Sequence, residues 1–229
     1  MKKGFVAVFA LLALTQVNAQ EKWTSLFDGK TTAGWHSYGE KTAGAAWKID
    51  NGIISLDPTA IKNGKGGGDL VTDESFNDFH LQLESKISKN GNSGIIFFVQ
   101  ENPEKYSHSF HTGPEMQVID NDGHPDAKNI SHRAGNLYDL IPIEEGLVKP
   151  YGEWNLVDII SKKGVLELKM NGQTVVKTHL GDDAWKELIR RSKFSKGESP
   201  DFGKVFSGHI ALQDHGDKVS YRNIRIQKL

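Results

Sequence analysis

Phe79-His80-Leu81-Gln82-Leu83-Glu84-Ser85-Lys86-Ile87 alternates between apolar and polar residues, and this stretch decides the fold. A period of two puts Phe79, Leu81, Leu83 and Ile87 on one face and His80, Gln82, Glu84 and Lys86 on the other. That is the pattern of a strand with one side buried. Just downstream, Asn90-Gly91-Asn92 reads as a turn, and the continuous apolar run Ile95 to Val99 reads as a more deeply buried strand in the middle of a sheet. Upstream, Trp47–Asp50 and Ile53–Leu56 flank Asn51-Gly52, the sequence of a tight hairpin.

The same reading extends along the chain. Strands are predicted over Glu115–Ile119, Trp154–Ser161, Val165–Met170, Thr174–Leu180, His209–Gln213 and Val219–Gln227, with Lys162-Lys163-Gly164 and Asn171-Gly172 as turns. One segment departs from it. Asp182 to Phe194 spaces Trp185, Leu188, Ile189 and Phe194 as a helix does, behind an aspartate cap. Two loops stand out, 61–68 and the histidine- and aspartate-rich 120–133, and long loops on a rigid β scaffold usually carry binding chemistry. The prediction is an all-β chain: a two-sheet antiparallel jelly-roll sandwich with one short helix. No repeat or composition shift divides it.

The first residues read as an export leader. Lys2 and Lys3 precede the apolar run Phe5 to Leu14, and Val17-Asn18-Ala19 presents small residues at a cleavage position. The run is too short for a bilayer, which needs ~20 apolar residues. The expectation is a signal peptide over 1–19, a single β-sandwich domain over 20–229, and a periplasmic or secreted protein without membrane insertion. The chain has no cysteine, so lipid attachment, disulfides, thiolate metal sites and cysteine nucleophiles are excluded. A formal net charge of −1 gives no basic surface for nucleic acid.

Glu115-Met116-Gln117-Val118-Ile119-Asp120 is the most suggestive segment for chemistry. Alternation puts Glu115 and Gln117 on one face, and a β-bulge near Ile119 would bring Asp120 onto it. Two carboxyls flanking a polar residue on one sheet face is a glycosidase layout, though Gln117 stands where jelly-roll glucanases carry a middle acid. His108, His111, His124 and His132 crowd this region, with His215 near the C-terminus. Their spacing matches no zinc signature, so no metal ligand set is assigned. Trp35 and Tyr138 are candidates to stack on a sugar ring. Asn92, Asn155, Gln117 and Gln213 are amides suited to hydroxyl pairs. Trp47 and Trp154 read as core. Phosphate-loop, dinucleotide and serine-elbow motifs are absent.

Several motifs together resemble one family. Leu26-Phe27-Asp28-Gly29-Lys30 with Gly34-Trp35, Asn92-Ser93-Gly94-Ile95, Gly113-Pro114-Glu115-Met116-Gln117-Val118 and Ala134-Gly135-Asn136-Leu137-Tyr138-Asp139 are similar to those of the 3-keto-disaccharide hydrolases. Gly152-Glu153-Trp154-Asn155, Asn171-Gly172 and the closing segments Gly208–Gly216 and Tyr221–Ile224 follow in the same order. The resemblance implies a concanavalin-like jelly roll that hydrolyses glycosides oxidised at C3, and a separate sugar oxidoreductase that makes the ketone. It requires no cofactor and leaves room for a structural calcium. Family members often have Arg where Phe98 stands and Asp where Asn136 stands.

A C3 ketone acidifies the C2 proton, so the aglycone can leave by β-elimination, with water adding afterwards. That route needs one base, a donor to the ketone and an acid for the leaving group. Glu115 or His132 would be the base, Gln117 and His215 would polarise the ketone, and Tyr138 would be the acid. Trp35, Asn92, Asp120, Asn155, Gln213 and Arg222 would bind substrate. A conventional glycosidase and a non-catalytic carbohydrate-binding module stay open as alternatives.

Overall fold

The computed structural model describes residues 22–62, 66–197 and 199–229. The leader read over 1–19 lies outside these residues.

Two antiparallel sheets face each other. The larger contains β1 (Thr24–Ser25), β3 (Trp47–Asp50), β4 (Ile53–Leu56), β6 (Phe79–Ile87), β9 (Asn155–Lys162), β10 (Val165–Met170), β11 (Gln173–His179) and β13 (Val219–Lys228). Its order is β11-β10-β9-β6-β13-β4-β3, with β1 on β13. The smaller contains β2 (Trp35–Ser37), β5 (Leu70–Thr72), β7 (Asn92–Val99), β8 (Glu115–Ile119) and β12 (His209–Leu212), in the order β2-β5-β12-β7-β8. The jelly-roll sandwich predicted from alternation is the observed architecture.

The core forms where the two inward faces meet. Strand β6 alternates buried and half-buried residues throughout. Its Phe79, Leu81 and Leu83 pack into one cluster with Phe97, Met116 and Val118 of the smaller sheet. Burying a leucine such as Leu83 contributes about 2 kcal/mol. The turns use the residues the sequence offered: Asn51 and Gly52 both hold positive φ, as do Lys163 with Gly164 and Asn171 with Gly172. Strands β1, β2 and β5, of two or three residues each, were not expected.

Strands β7 and β8 differ from β6 in being buried along their whole length. Loops cover their outward face. Segment 135–138 runs along the free edge of β8, with Gly135 N–H donating to Gln117 O at 2.9 Å, Gln117 N–H to Asn136 O at 3.1 Å and Tyr138 N–H to Glu115 O at 2.9 Å. This protects a sheet edge and sets Tyr138 beside Glu115. Asn136 braces the segment, its Nδ2 donating to Ile130 O at 2.6 Å and its Oδ1 accepting Ile143 N–H at 3.0 Å. An aspartate there would lack the donor.

The single α-helix among the described residues, α1 (Asp183–Arg191), is capped by Asp182, whose Oδ1 accepts Trp185 N–H at 2.7 Å. Trp185 is buried and donates to Gly203 O at 2.8 Å. The turn after the helix presents Lys193 and Phe194 to the covered face of the smaller sheet, with Phe194 stacked on Phe202 at 3.7 Å.

Candidate active site

The loops leave an opening over that outward face, a cleft of about 130 Å³ lined by Asn92, Phe110, Glu115, Gln117, Tyr138, Lys193, Phe194, Gln213 and His215. A larger cleft of about 310 Å³ lies beyond the end of β8, with Asp120, Arg133, Glu145 and Tyr151 on its walls. The smaller one is the candidate because it gathers the perturbed carboxyl and the unpartnered amides.

Glu115 forms its floor. Its side chain lies across Gly94 of the neighbouring strand, so close that a Cβ there would sit 1.9 Å from Glu115 Oε1. Only glycine permits this packing. Glu115 is 6% exposed, and its carboxyl has no hydrogen-bond partner among the described residues. Burial pushes its carboxyl up to about 8, with the Lys193 ammonium offsetting part of the rise and the Asp69 and Asp126 charges adding to it. Gln117 sits two residues along the same face. Its Oε1 accepts Val118 N–H at 3.1 Å, which leaves its amide N–H group as a donor. The oxygens of Asn92 (Oδ1) and Gln213 (Oε1) are buried without partners, a costly state that a hydroxyl donor would relieve.

The opposite wall is a polar chain. Lys193 Nζ donates to Tyr138 OH at 2.9 Å, and Tyr138 OH donates to Asp126 Oδ2 at 3.1 Å. Burial, with the Asp126 and Glu115 charges, raises the Tyr138 phenol far above its ordinary value, so it stays protonated. His132 stacks on Tyr138 at 4.3 Å, its Nδ1 2.8 Å from Asp126 Oδ1 and its Nε2 3.0 Å from Asp139 Oδ1. Asp126 is itself held low: against the penalty of burial, the His132 and Tyr138 hydrogen bonds and Lys193 favour its charge. Asp139 also accepts the Lys193 backbone N–H at 2.8 Å. One network therefore fixes both Tyr138 and Lys193.

Of the residues expected to act, Glu115, Gln117, Tyr138 and His215 share the cleft with Asn92 and Gln213. The others do not. Both His132 ring nitrogens face carboxylates, so the ring steadies Tyr138 and is not turned to the cleft as a base. Strands β7 and β8 pair without a bulge near Ile119. Asp120 therefore stays out of the cleft and pins a loop by accepting Asn90 N–H at 2.7 Å and Asp122 N–H at 3.2 Å. Trp35 lies in the core, donating to Leu26 O at 2.6 Å. Asn155 braces a loop of the larger sheet through Lys149 and Asn171. Arg222 points away from the core on that sheet, forked onto Glu84 at 2.8 and 3.0 Å and stacked 4.2 Å over Trp154. Trp154, expected in the core, is half-buried on that outer face. Phe98 is a core residue with φ +61°.

Sequence reasoning missed Lys193, Asp126 and Asp69. The Asp69 carboxyl, raised by burial, accepts from Ser109 Oγ and from Asp214 N–H at 2.8 Å. Motif spacing gives no sign of Lys193, which the turn after α1 delivers from outside every motif.

The sequence profile of the 3-keto-alpha-glucoside-1,2-lyase-like domain matches residues 22–227. A 3-keto-disaccharide hydrolase from Bacteroides thetaiotaomicron is 37% identical over 233 aligned residues, 90% of this chain and 78% of the relative. A crystal structure of a candidate glycosyl hydrolase from Parabacteroides distasonis superposes with a TM-score of 0.81 at 31% identity, covering 95% of this chain and 98% of the other. A second one from that organism, 22% identical with a TM-score of 0.66 over 91% of this chain and 100% of the other, shares the fold. Among the described residues no helix is long and apolar enough to cross a membrane.

Proposed function

The chain belongs to the 3-keto-alpha-glucoside-1,2-lyase-like family, and from that premise we propose that it cleaves glycosides bearing a C3 ketone, binding the oxidised ring over Glu115. The observation that carries this reading is Glu115 itself: a buried, unpartnered carboxyl held up to about 8. It is the one carboxyl among the described residues lining the cleft. A conventional glycosidase needs two, about 5 to 9 Å apart across the scissile bond.

A single base suffices for elimination. Ionised Glu115 takes the C2 proton, and the electron pair passes into the C3 carbonyl as an enolate. The Gln117 amide donates to that oxygen, and Lys193 supplies the nearest positive charge. The enolate collapses, the C1–O bond breaks, and the departing oxygen takes a proton from the Tyr138–Lys193 pair. Once the aglycone has left, the Glu115 proton exchanges with solvent. Water then adds at C1 and gives a proton back to the Tyr138–Lys193 pair while Glu115 protonates C2, giving the free 3-keto sugar. A carboxyl near 8 suits both steps, since an acid–base group works best with its pKa near the operating pH. Asn92 and Gln213 receive ring hydroxyls. His215, at the exposed rim, meets the aglycone side.

The ketone must come from a separate sugar oxidoreductase. The leader over 1–19 would place the reaction in the periplasm or outside the cell, with 20–229 as the working domain; a family match starting at residue 22 supports that boundary. The test is incubation of the purified chain with a glucoside and its 3-keto form side by side. Aglycone release from the keto form alone is expected. Release from both would favour a conventional glycosidase, and binding of plain glycans without release would favour a binding module.

A further inference from the structure

Two loops at one end of the smaller sheet bring together three side chains that the elimination does not use as a set. His124 comes from the loop after β8, and His215 and Asp217 from the connection between β12 and β13. One ligand atom from each lies within 4.8 Å of the others, and they form the one such grouping among the described residues. The two rings stand edge to face at 6.0 Å and 86°. We propose that His124, His215 and Asp217 bind a single first-row divalent transition-metal ion at the rim of the cleft.

The donor set identifies the class of ion. Two imidazole nitrogens and one carboxylate oxygen suit zinc, cobalt, manganese or iron, and three protein ligands leave a position open. Calcium instead takes six to eight oxygens. Around a tetrahedral ion with bonds of about 2.1 Å the ligand atoms stand roughly 3.4 Å apart. Rotation of the exposed His215 ring closes the remaining distance, since it has no hydrogen-bond partner among the described residues.

The surroundings are already fixed. Asp217 Oδ2 accepts the Asn92 backbone N–H at 3.0 Å, which orients the carboxylate and leaves Oδ1 for the ion. The His124 loop is pinned by Asp120 and turns tightly at Gly123, where a Cβ would lie 2.2 Å from Asn90 Oδ1 and 2.5 Å from Asp120 Oδ2. His124 Nδ1 accepts Asp126 N–H across 3.2 Å, a long bond that the ring gives up when Nε2 takes a metal and Nδ1 carries the proton. Asn92, whose backbone is tied to Asp217, also directs its buried, unpartnered Oδ1 into the cleft that His215 lines. An ion on His215 therefore adjoins the ligand-binding surface. The spacing of His124 and His215 in the chain gave no sign of this site.

The proposal goes beyond the sugar reading and does not rest on it, because binding is measured on the chain alone. Tag-free mature protein, stripped with a chelator, is titrated with cobalt(II) and followed by visible absorption. One equivalent should bind with the bands of a nitrogen-ligated ion. His124→Gln and His215→Gln should each weaken binding at least tenfold. Asp217→Asn, which keeps an acceptor for Asn92 N–H, should weaken it too, separating ligand loss from loop collapse. Absence of saturable binding at millimolar cobalt, or an equivalent that binds unchanged in the histidine variants, would overturn the proposal.

Discussion

The cleft over the smaller sheet and the outer face of the larger one carry the same kinds of side chain, yet only the cleft is left unsatisfied. On the larger sheet Arg222 is forked onto Glu84 and stacked on Trp154, Arg225 pairs with Gln82 and lies over Trp23, and His80 and Gln82 share Asp158. Every one of these groups has a partner within the protein. In the cleft Glu115 has none, and the amide oxygens of Asn92 and Gln213 are buried without a donor. Residue type alone does not mark a sugar site. What distinguishes it is polar capacity left unpaired at a cost in stability, to be met by ligand.

The strongest way to break this comparison is Glu115→Gln. Loss of a general base should slow cleavage of a 3-keto-glucoside by ~10²–10⁴ in kcat with binding retained, measured by aglycone release and equilibrium titration. Lys193→Met should cost about 10² in kcat with a smaller change in KM, the size of a lost transition-state donor. Wild-type activity in either variant would remove that residue from the mechanism.

The two faces should also respond oppositely to pH. The Glu115 pKa is raised in the fold, so between about 4.5 and 8 the folded chain holds a proton that the unfolded chain has released. Stability from this group is present in acid and falls by up to ~1.4 kcal/mol per pH unit as pH rises toward 8. Glu84 is held low by the Arg222 hydrogen bonds, and Asp158 by His80 and Gln82 against the penalty of burial, so their contribution is lost as pH falls. Denaturant titrations of wild type and Glu115→Gln from pH 5 to 9 should diverge with rising pH, the variant keeping the stability that wild type loses. Parallel curves would mean that Glu115 is not held neutral. The smallest effect is expected from Arg222→Gln: unchanged kcat and KM, and a stability loss within about 1 kcal/mol, as for a partly exposed ion pair.

Much of the fold was legible because its signals are local. Alternation in Phe79–Ile87 and the Asn-Gly turns needs only neighbouring residues, and the observed strands follow those boundaries within a residue or two, except that β7 begins three residues earlier, at Asn92. Strands β2 and β5 are too short to show a period, which is why Trp35 read as a loop aromatic when it is a core residue. The site was legible in part for a related reason. Glu115 and Gln117 share a strand face by simple alternation, and Asn92, Tyr138, Gln213 and His215 belong to recognisable motifs. Lys193, Asp126 and the His124–His215–Asp217 grouping depend on how loops from distant parts of the chain fold over one face, and no spacing rule carries that information.

The central claim is that an unpartnered Glu115 removes the C2 proton of an oxidised sugar. The most direct test is cleavage of a 3-keto-glucoside in deuterium oxide, with C2 of the product followed by NMR. Deuterium should appear at C2 in every turnover by the wild-type protein, and neither exchange nor cleavage should proceed at a comparable rate in Glu115→Gln. A product that keeps its original C2 hydrogen would contradict the account.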